Sequence, residues 1–195
     1  MTKPGKTLST AAALAALSVL ASGPAAAHPG LHAMGFQDGF VHPFTGADHL
    51  MAMIAVGYWA GQFGGRMRFV IPAIFAGVMV LGAALGFHAE APGVIEYGIA
   101  ASVAVMGLLI AFDVRMPAPA AATLVGLFAF FHGFAHGAEA PAAATGILFF
   151  SGFVLASLTL QGLGLGLAGL RPGRTLSRLA GALVALGGAW MLGNA

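Results

Sequence analysis

The chain has 195 residues, of which 59% are hydrophobic and 7% are charged, whereas a soluble globular domain carries about 25% charged residues. This composition excludes a water-soluble enzyme, and the 30 glycines are typical of packed membrane helices, where small residues let backbones approach closely. The formal net charge is only +2, and Lys and Arg form no cluster with interleaved aromatic residues, which excludes nucleic acid as a partner.

The N-terminus has the pattern of a secretory signal. Two lysines precede an apolar run over residues 8–21, and a triplet of alanines ending at Ala27 follows. The run is shorter than the roughly 20 residues that a spanning helix needs, and the alanines provide an A-x-A cleavage site. The pattern predicts a signal peptide over residues 1–27 and a membrane domain over residues 28–195.

The rest of the chain contains six apolar stretches, each long enough to cross a bilayer. They cover residues 44–63, 69–87, 94–112, 118–134, 142–163 and 176–192. Short segments rich in Gly and Pro separate them, so neighbouring helices are expected to be antiparallel. The predicted fold class is an all-α integral membrane protein, a bundle of six transmembrane helices after a cleavable signal peptide.

The charges predict how this bundle lies in the lipid bilayer. If the mature N-terminus is outside, the first, third and fifth breaks face the cytoplasm, and every arginine lies in these breaks or directly beside them: Arg66, Arg68, Arg115, Arg171, Arg174 and Arg178. This distribution agrees with the positive-inside rule. The sequence therefore predicts a multi-pass protein of the bacterial cytoplasmic (inner) membrane, with both mature termini outside the cytoplasm and all seven histidines in the outer half.

The first candidate motif, HPFTGADH, opens the first predicted span. Pro43 suits the first turn of a helix, where its missing N–H has no cost. On a continuous helix His42 and His49 would be separated by about 10 Å of rise, too far to hold one ion together. Either the backbone is irregular around Gly46, or the two histidines act in succession. Asp48 is a candidate ligand or the acceptor for the ring N–H of a ligating histidine.

The second candidate motif, HGFAHGAE, closes the fourth predicted span. His132, His136 and Glu139 follow one another at helical spacing and share one stripe of a helix, which can present two imidazoles to one metal ion. Gly133 and Gly137 are expected to let a facing helix come close and to leave a cation room to pass. Since both motifs lie at the outer ends of their spans, they are expected to face each other across one vestibule.

Three further residues are weaker candidates. Glu96 lies near the outer end of the third predicted span and is interpreted as a relay ligand or compensating charge inside the bundle, because intramembrane acids usually face the interior. The alternative is an interfacial residue hydrogen-bonded to Tyr97. His28, the expected mature N-terminus, can chelate through its amine and imidazole with His32 nearby, but a disordered polar leader fits equally well.

At these motifs the chain resembles the HupE/UreJ family of small membrane proteins associated with nickel or cobalt uptake. The resemblance covers nearly the whole mature chain, and it implies permease activity. It implies that the leading metal-handling positions are His42, Asp48, His49, His136 and Glu139, with His132 and Glu96 next. Phe75 corresponds to a family phenylalanine that lines the path or packs in the core.

The donor types agree with such an activity. Imidazole and carboxylate in a chain without cysteine suit Ni²⁺, Co²⁺ or Zn²⁺ and disfavour a dedicated Cu(I) site. The resemblance points first to Ni²⁺ and then to Co²⁺ as transported substrate, with no permanently bound cofactor. A membrane metal receptor or chaperone, and a histidine-ligated membrane metalloenzyme, remain alternative functions. The oligomeric state is open, because the many glycines of the last two spans can pack helices within one bundle or between copies.

Overall fold

The computed structural model describes residues 35–87, 89–140 and 143–195, with the backbone alone for residues 143–145. These residues form seven helices and no strand: α1 (Phe36–Thr45), α2 (Ala47–Phe63), α3 (Met67–Gly86), α4 (Val94–Ala111), α5 (Ala118–Glu139), α6 (Ala143–Gly169) and α7 (Arg174–Leu192). The expected signal peptide, His28 and His32 lie outside the described residues.

Helices α3 to α7 are each long and apolar enough to cross a membrane. The large apolar side chains that remain exposed are mostly Leu, followed by Val and Phe, as expected of a surface that faces lipid. The described part of the chain is therefore an all-helical, multi-pass membrane bundle. The first predicted span is not one continuous helix, because α2 has only 17 residues and α1 is a separate short helix before it. The count of six spans stays a prediction.

The first helix is broken at Gly46. Its backbone there is extended, with φ −91° and ψ 122°, and this ends α1 and begins α2. Helix α1 packs on α6 with Gly39 against the backbone of Phe149. Helix α2 packs further along α6 in the same way, with Gly57 against the backbone of Gln161. Helices α1 and α2 thus form two consecutive segments on one side of α6.

This break corrects the role predicted for Pro43. The proline is buried in the last turns of α1 and does not open the following helix. Asp48 is in the first turn of α2, where a carboxylate interacts favourably with the positive end of the helix dipole. The helix that contains His49 therefore begins at Ala47, and the prediction that Pro43 opens it is wrong.

Close contacts between backbones hold α3 against α5. A Cβ atom on Gly133 would overlap the carbonyl of Met79, and one on Gly137 would overlap the carbonyl of Ala83. The two glycines thus allow the close helix approach that was predicted. The expectation that they also leave room for a cation to pass is wrong, because the backbone of α3 fills the space beside them.

Helices α4 and α7 form a second pair of the same kind. Gly107 faces the backbone of Ala185, and Gly181 faces the backbone of Ala111. Small residues at such an interface increase van der Waals contact, which drives helix association in a membrane. This explains part of the glycine content within a single bundle.

Two helices are longer than predicted. Helix α5 continues beyond residue 134 to Glu139, and α6 continues beyond residue 163 to Gly169. Glycine weakens an isolated helix by about 1 kcal/mol relative to alanine. Gly137 and Gly164 pack directly against neighbouring backbones, and this packing overrides the low intrinsic propensity.

The histidines and the arginines lie at opposite ends of the bundle. Histidines occur at the start of α2 and the end of α5, whereas arginines follow α2 and precede α5. At the arginine end a cavity of about 430 Å³ is lined by Arg68, Arg115 and Arg171 among others. The bundle is therefore strongly polarised in charge, as the loop composition predicted.

The tight contact between α4 and α7 generates a stability prediction. Gly107→Ala is expected to lower the free energy of unfolding by about 1–3 kcal/mol, since overpacking at a backbone contact has this cost. Gly77→Ala is the matched control, because nothing lies within 4 Å of a Cβ at Gly77 and the change only raises helix propensity. Unfolding of the purified chain in detergent measures both. If the two variants are equally stable, the close backbone contact between α4 and α7 at Gly107 does not exist.

Candidate metal site

Four histidines converge at one end of the bundle. His42 comes from α1, His49 from α2, and His132 and His136 from α5. The ring centroids are separated by 4.8 Å for His42 and His136, 4.3 Å for His49 and His136, and 5.0 Å for His49 and His132. The structure thus brings the two sequence motifs together. We call these four residues the histidine cluster.

The break at Gly46 makes this convergence possible. The ring centroids of His42 and His49 are 6.1 Å apart, because the extended residue between α1 and α2 interrupts the regular helical rise. A continuous helix would have separated them by about 10 Å along its axis. Of the two arrangements that the sequence left open, the structure has the irregular backbone.

Asp48 orients the imidazole of His49. Its Oδ1 accepts a hydrogen bond from Nδ1–H of His49 at 2.9 Å and another from the backbone N–H of His49 at 2.8 Å. The lone pair of His49 is then on Nε2, and this atom contacts Nε2 of His136. A carboxylate that holds the far nitrogen of a ligating histidine is a common feature of metal sites.

His132 is prepared in a similar way by its own helix. Its Nδ1–H donates to the carbonyl of Phe128 at 2.9 Å, which places the ring lone pair on Nε2. That nitrogen is fully buried and has no hydrogen-bond partner among the described residues. Buried polar atoms are nearly always hydrogen-bonded, so an unpartnered lone pair in this position suits a ligand atom.

Glu139 gives the cluster an exposed carboxylate. One donor atom from each of His42, His136 and Glu139 lies within 4.8 Å of the other two. The carboxylate Oε2 of Glu139 is 3.5 Å from Nδ1 of His136, and the glutamate side chain is 60% exposed. Ligands of one ion at about 2 Å lie within about 4 Å of one another, so small side-chain rotations would bring these three donors to one metal.

Aromatic side chains enclose the cluster. Phe75 of α3 is fully buried, and its ring centroid is 5.8 Å from that of His132. The ring centroid of Phe153 of α6 lies 4.2 Å from that of His136, with the rings tilted by 48°, and that of Phe149 lies 5.7 Å from that of His42. These rings exclude water and restrict the imidazoles to a few orientations.

Phe149 and Phe153 were not recognised in the sequence. They lie four residues apart on α6 and share one face of it. Apolar residues at that spacing are ordinary in any buried helix, so the sequence carries no signal that separates a site wall from general core packing. Only the position of α6 against α1 and α2 assigns them to the cluster.

The structure does not bring Glu96 into the cluster. This residue lies in the first turn of α4 and is exposed, although it is near enough to Glu139 to interact with it electrostatically. The hydrogen bond to Tyr97, which was the alternative, is not formed, because the hydroxyl of Tyr97 donates to the carbonyl of Ala195 at 3.0 Å.

Comparison with known proteins agrees with the two motifs. A sequence model of the family described as HupE / UreJ protein matches residues 14–191. Protein HupE of Rhizobium leguminosarum bv. viciae is 45% identical over 193 residues, which is 97% of this chain and 98% of that protein. The chain belongs to the HupE/UreJ family. The resemblance of this chain to the HupE/UreJ family is therefore confirmed, and no solved structure matches it.

The role of Asp48 generates a prediction for metal binding. Asp48→Asn is expected to lower the affinity for Ni²⁺ about 10- to 100-fold, because loss of a carboxylate that holds a ligating histidine has this effect. Calorimetric titration of the purified chain in detergent measures it. Asp113→Asn is the matched control, since that carboxylate pairs with Arg115 at the other end of the bundle. Unchanged affinity in both variants would show that Asp48 does not support a ligand.

Proposed function

We propose that the protein takes up Ni²⁺, and secondarily Co²⁺, across the bacterial cytoplasmic membrane. The observation that supports this most is the convergence of four histidines and one exposed carboxylate, from three helices, at one end of a membrane bundle. Membership in the HupE/UreJ family supports it independently. The transported ion is the substrate, and no permanently bound cofactor is needed.

The donor set fits borderline divalent ions. Imidazole nitrogen and carboxylate oxygen are suitable ligands for Ni²⁺ and Co²⁺, and the described residues offer no thiolate that would favour Cu(I). The donors are also distributed over several partial sites and not over one closed cage. A transporter requires this, because binding must be weak enough to release the ion.

The exposure of the donors indicates an order of passage. Glu139 is exposed and His42 is half-buried, whereas His49, His136 and His132 are buried. We propose that the ion first meets Glu139 and His42, then passes to the Nε2 atoms of His49 and His136, and reaches His132 beside Phe75 last. Phe75 is then a wall of the route, while Glu96 supplies negative charge near its mouth.

The distribution of charge supports an orientation for this transport. The arginine end is proposed to face the cytoplasm, as the positive-inside rule requires, and the histidine cluster then faces outward. Cleavage of a signal peptide after Ala27 and six membrane spans, with both mature termini outside, complete the proposed topology. His28 and His32 remain proposed as an outer chelator ahead of the cluster.

The membrane potential is the proposed driving force. It supplies about 2.3 kcal/mol per elementary charge at 100 mV, and about twice that for a divalent ion. A metalloenzyme is disfavoured, because a catalytic metal site needs a fixed set of protein ligands, an open coordination position and a substrate cavity. Asp48 is occupied with His49, and Glu139 is mostly exposed, so a carboxylate-rich catalytic site is not formed by the described residues.

Uptake into proteoliposomes tests the proposed function. The full chain is reconstituted with an inside-negative potential, and radiolabelled Ni²⁺ or Co²⁺ is added outside. Label is expected to accumulate with the parent protein, and accumulation is expected to fall to the protein-free level with His49→Ala and with His136→Ala, because each removes a buried ligand. Asp113→Asn is the control that keeps the cluster intact.

The alternatives give different results in the same assay. If the purified protein binds Ni²⁺ but no label enters, the protein is a receptor or chaperone, or a metalloenzyme, and the transport proposal fails. If label enters equally with both histidine variants, the protein transports metal but not through the histidine cluster.

A further inference from the structure

The buried face of α6 continues inward from the histidine cluster with polar residues. Phe153, Ser157 and Gln161 follow one another at intervals of four residues and therefore lie on one face, about 6 Å apart along the axis. The ring of Phe153 contacts that of His136, and Ser157 and Gln161 are 0% and 1% exposed. The two polar side chains thus lie one and two turns below the cluster, in the apolar core of the bundle.

Both side chains carry an oxygen without a partner. Among the described residues, Ser157 Oγ and Gln161 Oε1 are buried and make no hydrogen bond. The hydroxyls of Ser151 and Thr159 on the same helix donate to carbonyls of the preceding turn at 2.7 and 2.8 Å, which is the usual arrangement for a helical hydroxyl. Ser157 does not form this bond, so its hydroxyl oxygen lies in the interior of the bundle without a hydrogen-bond partner among the described residues.

Gln161 is held in place from the opposite helix. Its Nε2–H donates to Sδ of Met53 at 3.6 Å, which leaves the carbonyl oxygen Oε1 for another partner. Met53 is the residue one turn after His49 on α2, and it is fully buried. The seam between α2 and α6 thus leads from the histidine cluster down to two free oxygens.

We propose that Ser157 Oγ and Gln161 Oε1 form a second binding site for the transported divalent cation, which it occupies after leaving the histidine cluster. This proposal rests on the uptake function proposed above. Hydroxyl and amide oxygens are neutral and bind Ni²⁺ or Co²⁺ more weakly than imidazole does. A weak inner site lets the ion leave the histidines and still be released on the far side, as conduction through several sites requires.

The first test removes both oxygens while the histidine cluster is kept. In the double variant Ser157→Ala/Gln161→Leu, the affinity for Ni²⁺ measured by calorimetry is expected to stay within about twofold, while the uptake rate into proteoliposomes falls about tenfold or more. The control Ser151→Ala/Thr159→Val removes two exposed hydroxyls of α6 and is expected to change neither. Parent-like uptake by the first variant overturns the inner site.

The second test does not depend on the stability of the double variant. Since the chain has no cysteine, Ser157→Cys introduces a single thiol at the proposed site. With excess Co²⁺ in detergent this variant is expected to show sulfur-to-cobalt charge-transfer absorption, because a thiolate is a strong cobalt ligand. Ser151→Cys is the matched control and is expected to show none. Absence of the band in a Ser157→Cys variant that still transports Co²⁺ overturns the proposal.

The outcomes separate this proposal from the function on which it rests. If the parent protein binds metal but accumulates none, the uptake function fails and the inner site fails with it. If the parent protein accumulates metal and the double variant Ser157→Ala/Gln161→Leu takes it up at the same rate, only the proposal of the inner site fails.

Discussion

The break in the helix at Gly46 is the constraint on which the site depends. A single extended residue between two helices places His42 and His49 on neighbouring segments, with ring centroids 6.1 Å apart. Both segments pack on α6, so the cluster is closed on that side by Phe149 and Phe153. An interrupted helix at membrane depth is tolerated where its backbone is buried in protein or lines a cavity, and here both segments pack against α6.

Glycine-mediated packing fixes the other half of the site. Gly133 and Gly137 hold α5 against the backbone of α3, and the same contact places Phe75 of α3 beside His132 of α5. A helix in lipid gains little from the hydrophobic effect, so close backbone contact is a main source of its association energy. The imidazoles of His132 and His136, which directly precede these glycines in the sequence, therefore face α2.

The sequence predicted the membrane class, the clustering of charge at one end and the residues of the two motifs, because composition and charge report these directly. It could not decide whether the first helix breaks at Gly46, since Gly46 and Pro43 are compatible with several backbones. The predicted spans that correspond to α5 and α6 also end too early. Gly137 and Gly164 have low helix propensity, and the sequence does not show the tertiary contacts that keep both helices intact. Phe153 and Ser157 went unnoticed, since their role depends on which helix faces them.

X-ray absorption at the metal edge of the Ni²⁺-loaded full chain tests most directly the claim that one ion is held by both motifs. The account predicts a first shell of nitrogen and oxygen with scattering from at least two imidazoles, reduced by one in His49→Ala and by one in His136→Ala. A first shell with a single imidazole in the parent protein, or a shell that neither variant changes from that of the parent, would contradict it.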